Sequence, residues 1–379
     1  MNKGLIFLAM LCMSTHLYCA PIVQMNKAFN SLTELVPFIT EADRFKEKKN
    51  EHYISTELKN IKDAFNQSKH ENILKQDLFA PSYALIKENL TTTLDAFNKG
   101  KKDYAHWRLK EVTTLCLDCH TRLPEKHASS FQNGALQIER NKFLDPYNLG
   151  IAQLIVRRYS DAKTTFTMLI DEKLLKGQYF ELLNPFKQIV LIQTKIQKDA
   201  LQTQVFLEHY ANKKKFPNAE KEILKTWIKR LRSWDKNKYL KHAPSTDVQM
   251  TNFINEILSP LFKKDVYVGD YDIDLLFSYG ILSHFLFENP LSKLAPEIVF
   301  WLGLTEKNLN REKYFGSSDL FLKLCIRKYS KHPIAKRCFA EYVESVEFDF
   351  SGTRGTFIPN DVQKELDELE DLLPKEKIP

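Results

Sequence analysis

Cys116-Leu117-Asp118-Cys119-His120 is the stretch of sequence from which the rest of the chain is interpreted. Two cysteines separated by two residues and followed at once by histidine form the sequence to which c-type haem is attached. Each thiol makes a thioether bond to one vinyl group of the macrocycle, and the adjoining histidine becomes an axial ligand of the iron. The motif therefore predicts one covalent haem c, with Cys116 and Cys119 as its anchors and His120 as the iron ligand.

Two other kinds of site use the same residue types. A structural zinc site would need a second pair of ligands, and the sequence has no other CxxC and no further closely spaced group of cysteine and histidine. A thioredoxin-like dithiol would lie between a strand and a helix, whereas the residues on both sides of the motif have a helical pattern. Covalent haem is the favoured interpretation, provided that the protein is exported.

The N-terminus has the features of an export signal. Lys3 gives the first residues a positive charge, an apolar run covers residues 5–13, and a small residue, Ala20, follows a more polar stretch. This order is typical of a secretory signal peptide. The apolar run is shorter than the ~20 residues of a transmembrane helix, and the residues before Cys19 are a poor match to a lipoprotein signal. We predict a signal peptide over residues 1–20 and a periplasmic location.

Composition and charge narrow the class of protein. The 379 residues include only 11 glycines and 15 prolines, which suits a folded and largely helical chain. A formal net charge of +7 is a mild excess for this length and favours acidic partners only weakly. We expect no nucleic-acid partner and no integral membrane span. No hydrolase or nucleotide-binding motif is present, and a single haem motif argues against the two-haem peroxidases, so we do not expect an enzyme.

The six cysteines fall into three pairs. Removal of the signal peptide deletes two of them, and two more belong to the haem motif. The remaining pair, Cys325 and Cys338, lies on either side of a short break between two helical segments. Because an oxidising compartment favours pairing, we predict a disulfide between them.

Apolar periodicity predicts four helices in the first third of the chain. They cover residues 24–40, residues 42–69, a segment from Pro81 to Gly100, and a segment from Lys102 to Thr121 that carries the haem motif near its end. Four antiparallel helices with short connections form an up-down bundle.

This arrangement, with Cys116, Cys119 and His120 near the end of the last helix, resembles the class II cytochromes, which are cytochrome c′-like four-helix bundles. The resemblance covers roughly residues 22–128. It implies that His120 is the proximal ligand and that the first helix supplies the distal face.

The sixth ligand of the iron stays open. In such a bundle, Met25 and His70 lie where a side chain could reach the distal face, and an open coordination position is the other alternative. His106 precedes His120 by about 21 Å along the same helix and cannot reach the iron. A methionine ligand would suit electron transfer, whereas an open position would allow NO or CO to bind.

Residues 129–143 are polar and have the composition of a linker, and a helical-repeat region follows over residues 144–379. The spacing of small and large residues in two segments resembles degenerate tetratricopeptide repeats. The first segment carries Leu149, Gly150, Tyr159, Ala162, Phe166 and Leu169; the second carries Trp301, Leu302, Gly303, Ser318, Leu322 and Cys325. Stacked repeats imply a concave surface that binds another protein; a helical domain without a partner is the alternative.

The sequence thus predicts an all-α fold with a signal peptide (1–20), a monohaem four-helix cytochrome bundle (21–128), a linker (129–143) and a TPR-like α-solenoid (144–379). The leading functional hypothesis is one-electron transfer, with the repeats docking a periplasmic redox or assembly protein. A gas- or redox-responsive haem sensor is one alternative. An assembly scaffold, in which the repeats carry the function, is another.

Overall fold

The described part of the chain is mostly helical and has almost no strand, which confirms the predicted all-α class. The computed structural model describes residues 20–67, 72–122, 145–263, 271–309, 317–353 and 355–374. The predicted linker, His70, Cys19 and nearly all of the predicted signal peptide lie outside these ranges. No helix in the described part of the chain is long and apolar enough to cross a membrane.

The α-helices fall into an N-terminal set and a longer C-terminal set. The N-terminal set comprises α1 (Ala20–Thr40), α2 (Ala42–Lys46), α3 (Glu51–Gln67), α4 (Ala80–Asn98), α5 (Lys102–His120), α6 (Pro146–Ile155) and α7 (Tyr159–Lys176). The C-terminal set comprises α8 (Leu183–Leu191), α9 (Ala200–Ala211), α10 (Asn218–Asp235), α11 (Lys238–Lys241), α12 (Asp247–Phe253), α13 (Ser259–Leu261), α14 (Asp272–Glu288), α15 (Ala295–Leu309), α16 (Ser317–Lys328), α17 (Ile334–Asp349) and α18 (Asn360–Glu370).

Other elements are short. Single 3₁₀ turns cover Lys48–Asn50 and Asn72–Lys75, and π-helical turns cover Ile192–Ile196 and Ile254–Leu258. Strands β1 (Ser351–Gly352) and β2 (Gly355–Thr356) form an antiparallel hairpin in which Ser351 pairs with Thr356.

Local sequence explains most helix ends and one break. Gly100 takes a positive φ of 76°, which ends α4 and lets the next amide donate back to Ala96. The segment predicted as one helix over residues 42–69 is divided, because Glu47 adopts an extended conformation between α2 and a 3₁₀ turn. Pro37 lies inside α1 near its C-terminal end, and the helix continues to Thr40.

Contacts between residues divide the described chain into two units. The first unit contains residues 20–67, 72–75, 83–120 and 145–166. Within it α1 packs against α3, and α6 contacts both α1 and α5. The sequence predicted a domain boundary near residue 128. In the structure, α6 and the first part of α7 belong to the first unit, together with the N-terminal helices.

The second unit is built from three separate stretches of chain. Residues 167–374, where described, form most of it, and they are joined by residues 76–82 and 121–122. The ring of Phe79 meets the ring of Phe287 edge-on, and the Asp77 carboxylate accepts hydrogen bonds from Lys328 and Tyr329. The second unit therefore includes residues 76–82, which come before most of α4 and all of α5, and residues 121–122, which follow α5.

A stripe of apolar residues on α10 forms part of the core of the second unit. The members share the helical spacing predicted from the sequence and all are buried: Leu224, Trp227, Ile228, Leu231 and Trp234. The indole of Trp234 stacks on Phe277, and its Nε1 donates to the carboxylate of Asp274 at 2.8 Å. The periodicity of residues 213–241, which includes Ile223, favours a buried stripe over a membrane-surface helix. Burial is confirmed for the five residues named above, whereas Ile223 is 37% exposed.

Each of the two segments with the predicted repeat spacing contains a glycine at a point where two helices approach closely. A Cβ on Gly150 of α6 would lie 2.5 Å from the ring of Phe166 on α7. A Cβ on Gly303 of α15 would lie 3.1 Å from the side chain of Leu322 on α16. A larger residue at Gly150 would force the ring of Phe166 to move, whereas at Gly303 the side chain of Leu322 would have to shift by a few tenths of an ångström.

Cys325 on α16 and Cys338 on α17 are joined in a disulfide, and both residues are fully buried. Replacing both with alanine should lower the free energy of unfolding by about 3 kcal/mol, since the bond closes a loop of 13 residues in the unfolded chain. Urea unfolding of the oxidised wild type and the double variant measures this difference. Reduced wild type is the control, and an equal midpoint for oxidised and reduced wild type would contradict the prediction.

Asp319 on α16 is expected to make stability depend on pH. Burial, with a smaller contribution from the charge of Asp349, raises the pKa of its carboxyl from 3.8 to about 6. The fold thus favours the protonated form, and this contribution to stability is lost as the pH rises from about 4 to about 6. Asp319→Asn should raise the free energy of unfolding at pH 7 by roughly 2 kcal/mol.

Urea unfolding of the Asp319→Asn variant at several pH values between 4 and 7 tests this expectation. Asp361→Asn, which replaces an exposed carboxyl, is measured in parallel as the comparison variant. A variant at Asp319 whose stability follows the wild type across this range would contradict the prediction.

Candidate haem-attachment site

The haem motif occupies the last turn and a half of α5, which ends at His120. Residues three and four positions apart share a face of an α-helix. Cys116 therefore lies on the same face as Cys119 and His120, with all three at the C-terminal end of the helix. Helical spacing thus places two cysteines and one histidine on one face at the end of α5.

The two cysteines differ in their surroundings. Cys116 is buried and Cys119 is partly exposed, and neither is in a disulfide. Burial raises the pKa of the Cys116 thiol to about 12, with smaller contributions from Cys119 and Asp118. A thiol with this pKa stays protonated at neutral pH and is a poor nucleophile. Together with the helical setting, this argues against a thioredoxin-like dithiol.

The orientation of His120 is set by a backbone group of another helix. Its Nδ1 donates a hydrogen bond to the carbonyl oxygen of Ile155, the last residue of α6. A carbonyl can only accept, so the proton of the neutral ring is on Nδ1 and the lone pair is on Nε2. A histidine that binds a metal commonly uses one nitrogen as the ligand while the other donates to such a group.

The imidazole of His120 is held in its neutral form. Burial lowers its pKa to about 4, with a smaller lowering contribution from the positive charge of Arg157 and an opposing effect of the Ile155 carbonyl. Metal binding requires the neutral ring. At neutral pH His120 therefore has the protonation state of an axial ligand before any metal is present.

Arg157 is a member of this site that the sequence analysis did not identify. It is fully buried, takes a left-handed conformation with φ of 63°, and its Nε donates to the hydroxyl of Tyr159 at 3.0 Å. Left-handed φ is uncommon outside glycine, asparagine and aspartate, so residue type gives no signal for this turn between α6 and α7. The turn places a buried positive charge beside the imidazole of His120.

The other candidates stand as follows. Met25 is a half-buried residue in the first turns of α1, and α1 contacts both α5 and α6. His70 lies outside the described residues. His106 is buried in the middle of α5, where its Nε2 donates to the carbonyl of Ile39 at 2.8 Å and its ring packs on Phe45. It has a structural hydrogen bond inside the first unit, in line with its exclusion as a ligand.

A metal site made only of protein ligands is not found in the part of the chain that the structure describes, where no three His, Cys, Asp or Glu side chains converge. Comparison with protein-family models, curated proteins and solved structures found no match to this chain. The chemistry of the site is therefore read from its own residues.

The residues present fit a covalently attached haem. Two thiols outside any disulfide lie one helical turn apart, and the adjoining imidazole is neutral with its lone pair on Nε2. A porphyrin supplies four nitrogen ligands to its iron, so the protein needs to supply only one or two more. The sequence identified the thiols and the imidazole; it gave no signal for the Ile155 carbonyl, because every residue carries one.

Proposed function

We propose that this chain is a periplasmic monohaem c-type cytochrome that transfers single electrons. The observation that carries the proposal is the hydrogen bond from His120 Nδ1 to the Ile155 carbonyl, formed at the end of the helix that carries Cys116 and Cys119. It gives the motif histidine the tautomer and orientation that an axial ligand requires. His106, which is not a candidate ligand, makes a similar bond to the Ile39 carbonyl, so the support comes from this bond together with the two adjacent thiols.

The residues of the chain would act together. Cys116 and Cys119 would hold the macrocycle by thioether bonds, and His120 would bind the iron through Nε2. The haem, when bound, supplies a one-electron couple at its iron. Donation to Ile155 increases the basicity of the imidazole, and the buried charge of Arg157 beside it favours the reduced form.

A finer architecture follows from the proposal. The helices α1, α3, α4 and α5 would form the four-helix bundle of a class II cytochrome, with Met25 as the first candidate for the sixth ligand and His70 as the second. The later helices would form tetratricopeptide-like repeats that dock a redox or assembly protein. The close helix contacts at Gly150 and Gly303 support this, since small residues at helix crossings are expected in such repeats.

Haem attachment is tested in a host that matures c-type cytochromes. The exported wild type should give a band on a denaturing gel that stains for haem peroxidase activity, and Cys116→Ala with Cys119→Ala should abolish it because both thioether bonds are lost. The variant lacking Cys325 and Cys338 is the matched control. It also loses two cysteines, but it keeps the motif and should stain normally.

A colourless wild-type band with the mass of the bare polypeptide, in cells that mature other cytochromes, would overturn the proposal. If the haem is attached, optical spectra separate electron transfer from sensing. A methionine–iron charge-transfer band in the oxidised protein that disappears in Met25→Ala would support electron transfer. A high-spin spectrum that shifts with CO would support a gas sensor instead.

A further inference from the structure

Two large apolar side chains are almost completely exposed at the turn between α7 and α8. Leu175 and Phe180 have exposed fractions of 88% and 82%, and they lie on either side of Gly177. Gly177 takes a positive φ of 65°, and the amide of Gln178 donates back to Lys173, which ends α7 sharply. The tip of this turn thus presents leucine and phenylalanine to solvent.

Hydrogen bonds hold the turn in a defined shape. Lys173 Nζ donates to the carbonyl of Phe180 at 2.8 Å, and the Tyr179 hydroxyl donates to the carbonyl of Lys215 at 3.5 Å. The second bond joins the turn to the loop between α9 and α10. Phe216 in that loop is buried and packs edge-on against Phe186 of α8, so the loop is anchored in the core of the second unit.

Lysines surround the apolar tip. Lys173 and Lys176 lie in the last turn of α7, and the loop joined to it contributes the run Lys213-Lys214-Lys215. The acids of the same region are fewer, and two of them are already paired, since Glu172 binds Lys176 and Asp171 binds Lys213. These pairs also neutralise Lys176 and Lys213, so Lys173, Lys214 and Lys215 against Glu181 leave an excess of two positive charges, 3 − 1.

We propose that this tip, defined as residues 173–181 together with Lys213–Lys215, binds the surface of a membrane rich in anionic lipids. Apolar side chains with lysines around them are the composition by which peripheral proteins insert into the headgroup region. The lysines are attracted to negative headgroups, and the leucine and phenylalanine reach the acyl boundary. Two exposed apolar side chains with lysines around them suit an anionic lipid surface, which supplies both negative headgroups and an apolar interior. The inference does not depend on haem.

The full mature chain is tested by co-sedimentation with vesicles of phosphatidylglycerol and phosphatidylcholine. It should bind mixed vesicles, bind pure phosphatidylcholine much more weakly, and lose affinity as salt rises. Leu175→Ser with Phe180→Ser should weaken binding at least about tenfold, because the two apolar side chains that the membrane would bury are lost. Lys214→Glu with Lys215→Glu should remove the preference for phosphatidylglycerol.

Leu291→Ser is the matched control, because Leu291 is 95% exposed at a different turn and its replacement should leave binding unchanged. Phe180→Trp gives a second measurement, since its fluorescence should shift to shorter wavelength on anionic vesicles. Failure of the wild type to bind anionic vesicles overturns the proposal and would direct attention to an acidic protein. An equal effect of the tip variant and the Leu291 control overturns it as well.

Discussion

Replacing Gly280 with alanine should lower the free energy of unfolding by about 3 kcal/mol or more. Gly280 lies in α14, and a Cβ at this position would come within 2.2 Å of the backbone oxygen of Lys195. Lys195 belongs to the buried π-helical turn at Ile192–Ile196, so a backbone segment rather than a flexible side chain would have to move. In an ordinary helix, replacing glycine with alanine raises stability by up to about 1 kcal/mol. A loss of stability in the Gly280→Ala variant would therefore indicate the clash rather than helix propensity.

Urea unfolding of the Gly280→Ala variant measures this effect. Gly352→Ala is the control, because a Cβ on Gly352 meets no atom within 4 Å and its stability should stay within about 0.5 kcal/mol of the wild type. An unchanged or raised stability for Gly280→Ala would show that α14 does not approach the π-helical turn closely.

Replacing Arg122 with methionine should cost about 3 kcal/mol of unfolding free energy. Arg122 is buried, and among the described residues it donates to the Tyr279 hydroxyl at 3.0 Å, the Leu78 carbonyl at 2.9 Å and the Ser82 hydroxyl at 2.7 Å. Its guanidinium also lies over the ring of Phe321. Methionine fills much of the volume but leaves buried acceptors unsatisfied, which is the costly outcome for buried polar groups.

Arg232→Met provides the comparison for this variant. Arg232 is exposed and pairs with Glu208 at 2.7 Å, and a surface ion pair of this kind contributes at most about 1 kcal/mol. Urea or thermal unfolding of both variants under the same conditions gives the difference. Equal losses for the two variants would mean that the contacts of Arg122 contribute no more than a surface pair.

The sequence predicted the fold where the signal was local. The apolar spacing on α10 identified a buried stripe, the position of Gly100 marked the end of α4, and two cysteines on either side of a short break identified a disulfide. Each of these depends on residues that are near one another in the chain. The thiols and imidazole of the haem motif are of the same kind, since their arrangement follows from helical spacing alone.

Interactions between distant segments gave no comparable signal. The Ile155 carbonyl that orients His120 could belong to any residue, and the left-handed turn at Arg157 has no marker in its sequence. Arg122 and Lys195 have charged side chains, which predict exposure, yet both are buried in the second unit. Only the tertiary structure shows that Lys195 Nζ donates to Thr121 Oγ1 at 3.1 Å and lies over the ring of Tyr279.

The three-stretch construction of the second unit has a consequence for the order in which the chain can fold. Asp77 receives its hydrogen bonds from residues 251 and 252 positions later. During synthesis, Asp77 therefore stays without these two partners until residues 328 and 329 have been made. Contacts so far apart in sequence slow folding, and a chain that emerges from its N-terminus first cannot complete this unit early. A chaperone that binds nascent chains would therefore be expected to stay bound longest at the segment around Asp77.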